Sequence, residues 1–176
     1  MNSSPSSVAG FTLTELMVVV AVAGVLAVIA MPSFKSLTQS QQVKNASMDI
    51  YTSLILARSE AIKRNTDVTV TAVDYPVTFP APAHNERGWV IVAINDPLTT
   101  ADDTTIQNQS QLKGIALTAT PNNSLWVTYR RTGRATTAPI LTIDAHGATT
   151  TPYARCIKVE LSGMPRIYKA VSGVCS

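Results

Sequence analysis

With 176 residues, 45% of them apolar and 14% charged, the chain has the composition of a globular protein of one domain with at most an appendage. The formal charge of +3 is unevenly spread. From Arg130 onward seven basic residues (Arg130, Arg131, Arg134, Arg155, Lys158, Arg166 and Lys169) stand against two acids (Asp144 and Glu160), so that end carries +5 and the rest −2. Such a basic end is either a solvated face or the footprint of a polyanion partner.

The first element is apolar. Phe11–Met31 is long enough to cross a hydrocarbon core of about 30 Å as a helix, yet it contains Glu15. A cleaved secretory signal fits poorly, because MNSSPSSVAG has no Lys or Arg and the apolar run is too long. A plain anchor leaves the acid unexplained, and an ionisable residue in such a segment asks for a partner. If the chain is cut after Gly10, Phe11 gains a free α-amine one helical turn from Glu15, on the same side. The carboxylate can then meet that amine or the amine of a neighbouring helix.

Gly10-Phe11-Thr12-Leu13-Thr14-Glu15-Leu16 resembles the processing motif of type IV prepilins and type II secretion pseudopilins. The resemblance implies that a prepilin peptidase cleaves between Gly10 and Phe11 and that Phe11 is N-methylated. It also implies that Glu15 sets the stagger between subunits in a fibre. The leader departs from the family's pattern in having no Lys or Arg.

Beyond Pro32 the chain is expected to continue as helix, since Val43, Ala46, Ile50, Leu54, Ala57 and Ala61 recur at steps of 3 and 4. That stripe is expected to face a core, with Gln41, Lys44, Ser47, Arg58 and Lys63 outside. Arg64-Asn65-Thr66 supplies a basic last turn and a stop. Seven short β-branched or aromatic runs follow: 68–73, 88–94, 114–118, 125–129, 140–143, 156–161 and 166–168. The proline-containing stretch 74–86 and the polar stretch 95–111 read as loops. The expected organisation is a leader (1–10), a transmembrane or fibre-core helix (11–31), its amphipathic continuation (32–66) and a β-rich globular domain (67–176). The fold class is therefore α+β, a long N-terminal helix packed on one or two antiparallel sheets.

Cys156 and Cys175 enclose 18 residues. A membrane-targeted chain meets an oxidising compartment, where the pair would close and stabilise the fold by about 3 kcal/mol; two buried thiols are the alternative. No motif for catalysis appears. His84 and His146 are isolated, and Asp102-Asp103 reads as a solvated pair, so neither an enzyme nor a cofactor or metal is expected.

The order of Ala57-Arg-Ser-Glu-Ala-Ile-Lys-Arg64, Glu86-Arg-Gly-Trp-Val-Ile-Val92, Val127-Thr-Tyr-Arg-Arg-Thr-Gly-Arg134 and Gly163-Met-Pro-Arg166 is similar to the GspH/FimT family of minor pilins and pseudopilins. The resemblance implies a subunit that joins other minor and major pilins, seated in the bacterial inner membrane with its domain in the periplasm before it enters the fibre. Some FimT members bind double-stranded DNA through a C-terminal Gly-Arg-x-Arg loop. Here Met164 stands where the first arginine would be. The residues that would contact phosphates are Arg166, Lys169, Lys158 and Arg155, with Arg130, Arg131 and Arg134 as a second cluster. A minor pilin priming fibre assembly is the leading expectation, ahead of a DNA-uptake pilin and a secretion pseudopilin.

Overall fold

A computed structural model of the chain describes residues 11–73, 88–95, 103–120, 126–145, 152–171 and 173–175; the side chains of 28–33 are not among those described. One helix, α1, covers Leu13–Arg64. By contact density the chain divides into two units, Met1–Thr38 and Gln39–Ser176.

In the first unit every described side chain from Phe11 to Ala27 is exposed. Among the described residues no helix is long and apolar enough to cross a membrane. The segment expected to do so, 11–31, runs into the residues whose side chains lie outside the description.

In the second unit the helix meets its core. Val43, Ala46, Ile50, Leu54, Ala57 and Ala61 are all buried, as a stripe recurring every three to four residues must be if one face is to leave water. Ser47 and Arg58, expected outside, are not. Ser47 is buried because its hydroxyl donates to the Val43 carbonyl at 2.6 Å, which satisfies the polar atom without water. Ser53 is buried too, and accepts the Trp89 indole N–H at 3.0 Å. Arg58 is half-buried for a reason given below. The helix stops at Asn65, which adopts φ 53°, and the N–H groups of Asn65 and Thr66 return to the carbonyls of Ile62 and Ala61. This closure satisfies carbonyls that would otherwise be orphaned at the helix end.

Among the described residues eight strands follow: β1 (Asp67–Val73), β2 (Gly88–Ile94), β3 (Thr104–Gln109), β4 (Ile115–Thr120), β5 (Trp126–Tyr129), β6 (Ile140–Ala145), β7 (Arg155–Val159) and β8 (Pro165–Lys169). They form two four-stranded antiparallel sheets, ordered β3-β2-β1-β5 and β4-β6-β7-β8. The first sheet turns Val68, Val70, Trp89, Ile91, Ala93, Val127 and Tyr129 inward; the second turns in Leu117, Leu141, Ile143, Ile157 and Val159. Both sets join the helix stripe in a single cluster.

The polar stretch 95–111, read as a loop, contains β3. Among the described strands it is an edge strand paired with β2 alone, bulged where Ile91 and Val92 face it. Its residues, TTIQNQ, bury no continuous face, so hydrophobic alternation cannot reveal it; backbone pairing and threonine's strand preference carry it instead. The other expected loop, 74–86, falls almost wholly outside the described residues.

Candidate functional site at the helix start and the basic end

Gly10 lies outside the described residues. Phe11 is 91% exposed. Next to it, Thr12 and Glu15 form a reciprocal cap. The Thr12 backbone N–H donates to Glu15 Oε2 at 2.9 Å, the Thr12 hydroxyl donates to the same oxygen at 2.8 Å, and the Glu15 N–H returns to Thr12 Oγ1 at 3.3 Å. A Thr-x-x-Glu pair at a helix start does this because the first turn has donors with no intrahelical acceptor. Both Thr12 donors meet Oε2, and among the described residues none reaches Oε1. The cap thus orients the carboxylate beside Phe11 and leaves one oxygen for a cation.

At the other end Cys156 and Cys175 are bonded, with Cα atoms 5.6 Å apart. Just before Cys175, Val171 and Val174 bridge each other through both backbone hydrogen bonds. The basic residues do not share one face. Lys158 stands opposite Arg166 across β7 and β8, and Arg155 opposite Lys169. Because strand residues alternate, the first pair projects from the face that carries Cys156 and Tyr168, and the second from the face of Ile157 and Ile167. Arg166 is already engaged, its Nε lying 3.3 Å from Glu160 Oε1.

The second cluster belongs to a different sheet but reaches the β7–β8 turn. Arg130 donates its N–H to Arg134 O at 2.8 Å and Gly133 donates to Arg130 O at 2.7 Å. Glu160 and Met164 repeat the pattern at 3.2 Å, with Gly163 donating to Glu160 O at 2.7 Å. The two turns lie against each other. A Cβ on Gly163 would stand 1.9 Å from the Gly133 carbonyl oxygen, and both glycines have positive φ (75° and 85°). Arg58 of α1 closes the junction: its Nε donates to that same carbonyl at 3.0 Å, and its Nη1 lies against the Met164 sulfur. In the sequence only the Thr132-Gly133 and Ser162-Gly163 pairs signal the two turns, and nothing next to Arg58 points to its partners. Arg58 also faces Tyr129, whose phenol burial holds well above its ordinary pKa, a shift the guanidinium only partly opposes. Among the described residues the Tyr129 hydroxyl has no hydrogen-bond partner.

A polar groove of about 260 Å³ lies at the end of α1, lined by Asn65, Thr66, Asp67, Ile94, Asn95 and Arg131. The void between helix and sheets, lined by Ile50, Leu54, Trp89 and Leu117 among others, holds only about 20 Å³. Among the described residues no three His, Cys, Asp or Glu converge.

Residues 46–163 match the family model described as type II transport protein GspH. The chain belongs to the GspH family. Residues 5–31 match the prokaryotic N-terminal methylation motif, so this GspH-family chain is of prepilin type. No curated protein matches it. Among solved structures it is similar to the type IV minor pilin FimU of Pseudomonas aeruginosa, at 16% identity, with 77% of this chain and 93% of that one covered and a TM-score of 0.57. It is also similar to the minor pseudopilin EpsH from the type 2 secretion system of Vibrio cholerae, at 20% identity, with 73% and 97% covered and a TM-score of 0.53. The fold is that of these pilin-like subunits, and the chain is a structural subunit of the type IV pilus and type II secretion class that works among other pilins.

Proposed function

We propose that the chain is a minor pilin of a type IV pilus: held in the inner membrane as a single pass through 11–31, cut after Gly10 by a prepilin peptidase, and built into the complex that primes the fibre. The observation that carries this reading is the capped start of α1, where Glu15 is held beside Phe11 with one carboxylate oxygen open to a neighbour's α-amine. In a water-excluded fibre core that pairing would fix the axial offset between subunits. The test is gene removal. Loss of twitching and surface pili with protein secretion intact is the expected result, and complementation by Glu15→Ala should fail. Loss of secretion with twitching intact would assign the chain to a pseudopilus instead.

DNA uptake is the rival reading, and it rests on charge. Binding would be salt-sensitive and indifferent to sequence. The Arg166–Glu160 pair and the split between the faces of β7 and β8 both work against a continuous phosphate track.

A further inference from the structure

The junction of the two glycine turns is also where exposed apolar side chains and unpaired arginines meet. Ile62 reaches within 2.7 Å of where a Gly133 Cβ would be, yet is 52% exposed. Leu161 and Met164, in the turn around Gly163, are 53% and 42% exposed. Arg130, Arg131 and Arg134 surround Gly133, all exposed. Among the described residues no carboxylate forms an ion pair with these three guanidinium groups, and the one carboxylate that touches this turn, Asp67, accepts the Arg131 backbone N–H at 3.3 Å; the ion pairs there use Glu60 and Glu160 with other partners. The backbone-to-backbone contact and the Arg58 hydrogen bond hold this surface in one shape.

An apolar centre bordered by arginines has the make-up of a protein interface, where arginine is enriched and the middle is dry. A nucleic acid would engage the arginines through phosphate and leave Ile62, Leu161 and Met164 facing a polar backbone. A second copy using the same face would set the arginines against themselves. Resting on the pilin reading, we infer that this face docks another pilin-type subunit through an apolar patch with an acidic border, and that it is the contact by which the domain, as distinct from the N-terminal helix, selects its neighbour.

The test places a photo-crosslinking amino acid at position 161 of the full chain in the cells that make it, and separately at position 19 in α1. Products are identified among the chains of that organism carrying an N-terminal methylation motif. The expected result is capture of one other such subunit from position 161, at a face rich in Asp and Glu. The triple variant Arg130→Glu, Arg131→Glu, Arg134→Glu should lower that capture at least about tenfold, and an acid-to-Lys reversal on the captured face should restore it. Capture from 19 but not from 161 would overturn the inference and leave the pilin reading standing. No pilin-type capture from either position would sink both. Capture of a second copy, capture at a face without acids, or capture indifferent to the charge reversal would each overturn the inference. So would binding of a double-stranded oligonucleotide that the reversal abolishes while no subunit is captured.

Discussion

Two places in this molecule are each organised by one long polar side chain that gathers up groups around it: Glu15 at the start of α1, and Arg58 where the glycine turns meet. Glu15 is tied to a residue three positions away, so its arrangement is local and can be read from Thr-x-x-Glu. Arg58 is tied to residues 75 and 106 positions away, so nothing in its own neighbourhood announces its partners. The lesson is that the assembly end of this chain is specified by a short motif, whereas the shape of its domain surface depends on three distant segments meeting. Damage to the two should therefore look different. The first should disable assembly in a folded protein, and the second should unfold it.

The largest effect is expected at Gly163. Alanine there would drive a Cβ to 1.9 Å from the Gly133 carbonyl at φ 85°, a backbone clash that no rotamer relieves. It should cost about 3 kcal/mol or more and lower Tm by roughly 6–12 °C. Gly133→Ala, at φ 75°, meets the end of Ile62 and comes within 3.3 Å of Arg58 Nε, side chains rather than backbone, and should cost roughly half as much; equal costs would mean that the junction is softer than described. Reducing the Cys156–Cys175 bond should remove about 3 kcal/mol by the chain-entropy argument, read as a drop in the denaturant midpoint with and without reductant.

Thr12→Ala sharpens the contrast from the other side. Loss of the cap should cost the first helical turn about 1 kcal/mol, visible as faster amide exchange there, with Tm of the domain unmoved. Tyr129→Phe is expected to be neutral or stabilising by up to about 1 kcal/mol, because it removes a buried hydroxyl that has no partner among the described residues. The smallest effect concerns pH. The hydrogen bond from Arg64, helped by the nearby Lys63, holds the Glu60 carboxyl below its ordinary value. A carboxyl so depressed adds stability at pH above about 4.3, lost as pH falls through the lowered value. Arg64→Gln should flatten that acid limb slightly in unfolding curves at successive pH values.

Much of the architecture was legible because burial imposes a period. The six-residue stripe from Val43 to Ala61 and the run Gly88–Ile94 emerge from pattern alone. β3 was not legible because an edge strand with polar residues on both faces has no period to detect. Ser47 and Arg58 were placed outside because polarity was read without their partners, the Val43 and Gly133 carbonyls. Closeness in sequence does not show that strand register sends Lys158 and Arg166 to one face and Arg155 and Lys169 to the other.

The most direct test of the account is mass spectrometry of the N-terminal peptide of the chain recovered from the cells that make it. The account predicts a peptide beginning at Phe11 and carrying one methyl group on its α-amine, with residues 1–10 removed. A chain that retains its leader would leave Glu15 without a nearby α-amine and would contradict the account.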